Sequence, residues 1–199
     1  MTNRQRAALA TKNKLLDAAK KLIEEKGLAG TSVDEITEAC GVAKGTFYTY
    51  FKRKEDIVFA LSAGMFGEIL ENAKRAPGGT AEKLTDYMVH FSDCIEKSGV
   101  KLAQEWVKNV VDPVLCENGG DQKLQNDLRD MADLLTFLAE NGQMRRDADL
   151  PALAKVLVAL AYGQMLCWCM SGGKYSLRER TAAFCRDQLA QLIQNYNVV

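Results

Sequence analysis

The side chains with intrinsic reactivity are few and dispersed. His90 is the only histidine, and the six cysteines (Cys40, Cys94, Cys116, Cys167, Cys169, Cys185) form no CxxC pair. A metal centre or an acid–base or nucleophilic site needs such groups at converging spacings. The chain also lacks a phosphate loop, a nucleophile elbow and an HExxH pair. No metal, cofactor or enzymatic reaction is therefore expected. The one dense constellation is Lys44-Gly45-Thr46-Phe47-Tyr48-Thr49-Tyr50. In a helix, Phe47 and Phe51 (i, i+4) share one face and leave Lys44, Gly45, Thr46, Tyr48, Thr49 and Tyr50 on the rest. Hydroxyls, an ammonium and a glycine on one short surface suit close approach to phosphates and base edges.

That surface must be held by what precedes it. Apolar residues recur at helical spacing almost throughout, and strand signals are nearly absent. A first helix is expected over about 11–26, with Leu15, Leu16, Ala19, Leu22 and Ile23 on one face and Gly27 as its stop. Thr31-Ser32-Val33-Asp34-Glu35 starts a second, with a hydroxyl to cap it and an acid three residues on. Gly41 ends that helix, and after Gly41-Val42-Ala43 a third runs over about 44–50. Two short helices joined this way have helix-turn-helix geometry: Ile36 and Cys40 face Phe47 and Phe51, and the second helix fits a major groove.

The stretch GTSVDEITEACGVAKGTFYTYFKRKEDI resembles the DNA-binding segment of the TetR family of transcriptional repressors, with the strong match over roughly residues 8–60. The resemblance implies an all-α chain: a three-helix reading head and a larger helical body that dimerises and binds a ligand. It places Lys44, Gly45, Thr46, Tyr48 and Tyr50 in the groove and Ser32 and Val33 at the start of the supporting helix. It sets Lys54, at the start of a long helix, beside a phosphate. Thr37 stands where the family usually has alanine, and Ala43 replaces its usual capping serine.

About nine helices are expected. The head is residues 1–56, a long connecting helix spans 54–75 with Ile57, Leu61, Met65, Ile69 and Ala73 inward, and the body is 57–199. Pro77-Gly78-Gly79 is the clearest break. Further helices are read near 80–97, 101–117, 122–141, 150–171 and 177–196, with Asp112-Pro113 breaking or kinking the second of these. Lys+Arg and Asp+Glu each number 26, so net charge is zero, yet residues 1–56 carry +3 and the remainder −3. A basic head on a mildly acidic body fits contact with phosphate at one end only.

The segment 150–170 is apolar nearly all round, with Lys155 its only charge, and must be covered on most sides. It reads as a buried helix rather than a membrane span, and the resemblance pairs it and the last helix with their symmetry mates in a homodimer. Ala159, Gly163 and Cys167 then permit close approach. A ligand pocket is expected between the body's middle helices, lined by Tyr87, His90, Phe91, Cys94, Trp106, Asn109, Val110, Phe137, Tyr162 and Met165. The expected partners are a palindromic double-stranded operator, a second copy of the chain and a small apolar effector. Cysteines buried in apolar stretches, behind a polar N-terminus without a signal segment, suggest a reducing cytoplasm. Two alternatives stay open: a dimeric DNA-binding regulator without a ligand, and a cysteine-based redox sensor.

Overall fold

The computed structural model describes residues 2–63, 66, 68–111 and 119–198. Met65, Cys116 and Asp112-Pro113 lie outside the described residues. The elements, in order, are α1 (Asn3–Lys26), α2 (Val33–Cys40), α3 (Lys44–Tyr50), α4 (Asp56–Ala63), α5 (Ile69–Arg75), α6 (Thr80–Ser98), α7 (Val100–Val111), α8 (Gly119–Glu140), α9 (Leu150–Met170), α10 (Leu177–Phe184) and α11 (Ala190–Ile193). A π-helical turn, Cys185–Leu189, joins the last two. The architecture is all-α. Among the described residues the sole β-type pairing is an isolated bridge between Met144 and Asn197.

The chain forms two compact units. The first comprises residues 1–65 and 99–117, the second 66–98 and 118–199. In the first, α1 contributes Leu15, Ala19 and Ile23 to a core completed by Ile36, Phe47, Phe51, Ile57, Val58 and, from α7, Leu102. Leu28 and the half-buried Trp106 pack on the same cluster. Sequence separation alone did not place α7 here. Its amphipathic stripe, Leu102 with Trp106 one turn on, packs into the head's apolar cluster.

Each helix boundary in this unit has a local cause. Thr2 caps α1 through a reciprocal capping box with Gln5, so α1 begins at Asn3 rather than near Thr11, and residues 2–10 are exposed. Ser32 does the same for α2 with Glu35: Glu35 N–H donates to Ser32 Oγ at 3.2 Å, and Ser32 N–H donates back to Glu35 Oε2 at 2.8 Å. Gly41, at φ 65°, closes α2 in the left-handed conformation that a side chain resists. Ala43 stands at the N-cap of α3 in extended conformation, with no side chain to bond the orphan amides.

The single connecting helix expected over 54–75 is instead two, α4 and α5, because Phe66 and Glu68 are non-helical. Gly64 and Gly67 fall in this stretch, and each glycine in a helix interior costs about 1 kcal/mol against alanine.

In the second unit α6 packs on α10 and α5, and α8 packs on α9. The inner stripe of α8 is Asp127, Met131, Leu134, Leu135 and Leu138, and α9 turns Leu153, Leu157, Val158, Met165 and Trp168 inward. A hydrogen-bonded chain pins three helices together. Ser92 Oγ of α6 and Thr181 Oγ1 of α10 lie 2.7 Å apart, and Thr181 Oγ1 donates to Gln164 Oε1 of α9 at 2.9 Å. Thr181 has one hydrogen, so Ser92 is the donor in the first bond.

Two outcomes follow from the head's capping. Ala43→Ser is expected to raise stability by about 1 kcal/mol in urea melts, since it supplies the missing cap. Hydrogen bonds from Lys26 and Ser32 hold the Glu35 carboxyl at about 2, below its ordinary 4.5. A depressed carboxyl stabilises above its unfolded value and loses that contribution as pH falls through the folded one. The stability gap between the native chain and Glu35→Gln is therefore expected to be full at pH 7 and to shrink between about pH 4.5 and 2, as read by thermal melts across that range.

Candidate functional site

Burial of Phe47 fixes the orientation of α3. Its ring is completely inaccessible and lies 5.2 Å from that of Phe51, so the opposite side of the helix faces out. Lys44, Gly45, Tyr48 and Thr49 are exposed there, and Thr46 and Tyr50 are half-buried. Tyr48 is 52% exposed, its ring edge-on to Phe47 at 5.5 Å. Tyr50 leans back on the head's core. A Cβ added to Gly45 meets nothing within 4 Å, so nothing inside the chain requires a glycine there.

Several groups expected to face a partner are already engaged within the head. Lys44 Nζ forms an ion pair with Asp34 of α2 at 2.9 Å, which raises the lysine above its ordinary value. Both side chains are more than half exposed, so the pair is weak and exchangeable. Ser32 Oγ accepts from Glu35 N–H and donates to Glu35 Oε2 at 2.9 Å, so both roles of its hydroxyl serve the cap. Val33 packs half-buried on the core. Lys54 is the largest departure. Its ammonium donates to the carbonyls of Leu28 and Thr31, at 2.8 and 2.9 Å, and so ties the α1–α2 connection to the chain leading into α4. Thr37, in the family's alanine position, is buried and donates to Val33 O and Asp34 O at 3.0 Å, so its hydroxyl is satisfied. Cys40 is half-buried rather than fully inward, its thiol donating to Lys14 O at 3.1 Å.

The ten residues read as pocket-lining divide between the units. Trp106, Asn109 and Val110 belong to α7 in the first. Asn109 is buried; its Nδ2 donates to Glu105 O at 2.7 Å, and its Oδ1 has no partner among the described residues. In the second unit Tyr87, Phe91 and Tyr162 come together around a cavity of about 10 Å³, with Met88, Asp127, Met131, Val158 and Ala161. His90 points the other way, exposed, with Nδ1 3.1 Å from Asp86 Oδ2. Cys94 and Phe137 are half-buried and Met165 buried, and none of the three borders that cavity. Periodicity could have found one residue missed here: Asp127 falls on the apolar stripe of α8, where a carboxylate is out of place.

Comparison with known proteins agrees with this geometry. Residues 15–61 match the family of bacterial regulatory proteins of the tetR type. The chain is 34% identical over 87 residues to the HTH-type transcriptional regulator AcrR of Shigella flexneri, a match spanning 42% of this chain and 40% of that one. It is 25% identical over 173 residues to UidR of Escherichia coli K12, covering 82% of this chain and 84% of the relative. In fold it is similar to the transcriptional regulator FadR of Bacillus subtilis in complex with stearoyl-CoA. That likeness has a TM-score of 0.70 at 24% identity and covers 94% of this chain and 100% of that one. These relatives are regulators rather than enzymes. The capped helix-turn-helix, residues 15–61, is thus that of the tetR family of bacterial regulatory proteins, and the chain as a whole is similar to HTH-type transcriptional regulators.

Proposed function

We propose that the chain is a cytoplasmic, homodimeric repressor that binds a palindromic operator through α3 and leaves it when a small apolar effector occupies the second unit. The observation that carries the DNA-reading face is Gly45. A glycine in mid-helix costs roughly 0.5–1 kcal/mol against alanine; Gly45 stands in the first turn of α3, where the cost is smaller but of the same sign, and no neighbour within the chain needs it. Its absent side chain instead lets a sugar–phosphate backbone approach α3, with Lys44, Thr46 and Tyr48 beside it. Lys44 exchanges Asp34 for phosphate or a base edge. Lys54 and Ser32 act by holding α2 and α3 in place, with two of the three Lys54 N–H donors on carbonyls and the third left for water or phosphate.

A second copy is supported by α9. Among the described residues it is the only helix long and apolar enough to cross a membrane, yet one side of it is built into the protein's core. Its other side exposes Val156, Ala159, Gly163, Leu166, Cys167 and Met170, with Met170 79% accessible. Small residues at 159, 163 and 167 form a shallow groove that accepts another helix at short range. Helix-turn-helix readers act as dimers on half-sites about 34 Å apart, and this apolar strip is the surface suited to pairing.

Coupling runs through α6. Tyr87 and Phe91 lie on α6, and only Gly99, at φ 87°, separates α6 from α7, which is built into the head. An effector that shifts α6 is thereby passed to the reading unit. Coupling of about 1–3 kcal/mol suffices for a 5–150-fold change in operator affinity. For four of the six cysteines the redox alternative is disfavoured: burial pushes Cys169 and Cys185 up to about 11 and raises Cys40 and Cys94, whereas the thiolate is the reactive form.

Gly45→Ala is expected to raise the melting temperature while weakening operator binding, opposite signs that a purely structural glycine does not produce. Tyr48→Ala is expected to weaken binding about 5- to 150-fold, equivalent to roughly 1–3 kcal/mol. Fluorescence anisotropy on duplexes selected from a random pool measures both, and unchanged affinity in the two variants refutes the assigned face. For assembly, light scattering is expected to report a dimer for the native chain and a monomer for Gly163→Glu; a native monomer at micromolar concentration overturns the pairing.

A further inference from the structure

Asp127 is the one buried carboxylate among the described residues, only 6% exposed, and it does not stand alone. Tyr162 donates its hydroxyl to Asp127 Oδ2 at 2.6 Å, and Lys123, one turn earlier on α8, forms an ion pair with Oδ1. The Lys123 ammonium lies 4.3 Å from the centroid of Phe66 and 5.6 Å from that of Phe91. Those two rings stack at 5.0 Å, and Phe91 stacks in turn on Tyr162 at 6.3 Å. The assembly is a cation site made of aromatic faces and a carboxylate, filled by the protein's own lysine.

Stability does not explain it. A buried ion pair gains little over apolar side chains of similar volume, because desolvation cancels most of the attraction. The local charge is also unbalanced toward acid. Asp130 lies close enough that burial and then the charge of Asp127 push its carboxyl up, and the nearby Arg129 is exposed and donates to Asn126. The Tyr87 and Tyr162 hydroxyls are raised by burial and by Asp127, so they remain neutral donors. Lys123 is the outer member of the pair, its side chain 18% accessible against 8% for Asp127. It can swing into water while the aspartate stays behind.

We propose that Lys123 stands in for an amphiphilic organic cation, an alkyl- or arylammonium that takes its place over Phe66 and Phe91 and against Asp127. The apolar tail of that molecule follows Met88, Met131 and Val158, whose cavity is now closed down to the space of one water. An anionic amphiphile is the wrong partner. It would claim Lys123 but set its own charge against the π faces and leave Asp127 buried beside it. This inference rests on the reading of the second unit as an effector domain and gives that effector its charge.

Titration calorimetry on the full chain with octyltrimethylammonium and octanesulfonate, the same tail with opposite heads, tests it. The native chain is expected to bind the ammonium and not the sulfonate. Lys123→Ala, which removes the internal competitor, is expected to bind the ammonium about tenfold more tightly, and Asp127→Asn and Phe91→Leu about 10- to 100-fold more weakly. Thermal melts verify folding, and Lys123→Ala/Asp127→Asn replaces Asp127→Asn if the single variant unfolds. Sulfonate binding that disappears in Lys123→Ala overturns the proposal, as does failure of both the native chain and a folded Lys123→Ala to bind the ammonium. Anisotropy on the selected duplex, with and without ammonium, separates the two readings. Ammonium binding without loss of DNA affinity leaves the cation site standing and removes its role as effector site.

Discussion

The exclusion of the Phe47 ring from water decides how this protein meets the outside. α3 is a helix of seven residues, too short to persist alone, since nucleation is costly and few intrahelical bonds repay it. It exists because Phe47 and Phe51 bury against Leu15, Ile23, Ile36 and Ile57. Full burial of a phenylalanine contributes about 1.5–3 kcal/mol, and both rings are buried. That single packing choice rotates Lys44, Gly45, Tyr48 and Thr49 outward as a set. The absent cap at Ala43 is tolerable for the same reason: tertiary packing, not local bonding, holds the helix.

Around α3 the charged groups divide their labour. Lys54, Lys26 and Ser32 make hydrogen bonds inside the head, which fix the path from α1 into α2 and on to α4. Lys44 is tied only by an exposed pair with Asp34. A group bonded to two carbonyls is held in one position, whereas an exposed ion pair costs little to exchange. Rigid supports and a few loosely held contact groups are the arrangement a reading surface needs, since geometric precision comes from the supports.

The second unit solves a different problem. α9 has two apolar faces, one consumed by α8, α6 and α10, and the other left open. The polar chain Ser92–Thr181–Gln164 sits among those apolar layers and is satisfied internally, which specifies how the three helices register. The Lys123–Asp127 pair is also satisfied, but its outer member remains within reach of water. One polar network therefore fixes the packing, and the other is able to change partner.

Local rules were enough to read much of this chain. The capping box at Ser32–Glu35, the left-handed Gly41 and the Phe47/Phe51 spacing are i, i+3 and i, i+4 relationships, so the helix-turn-helix and its outward face were legible without coordinates. The helices over 80–98 and 150–170 were legible for the same reason, because amphipathic or uniformly apolar character is periodic in sequence. Three features were not. Lys54 was assigned outward by position, but its ammonium reaches carbonyls 23 and 26 residues earlier, a separation no local pattern encodes. Trp106 and Asn109 were grouped with Phe91 and Tyr162 because all are helical and apolar or amphipathic, yet α7 is built into the head's core. Which of several compatible apolar stripes pair is decided by the shape of the whole chain. The cluster at Asp127 required Phe66 from the segment between α4 and α5, Lys123 and Asp127 from α8, Phe91 from α6 and Tyr162 from α9. A site assembled from four stretches of chain exists only once tertiary packing has brought them to one place.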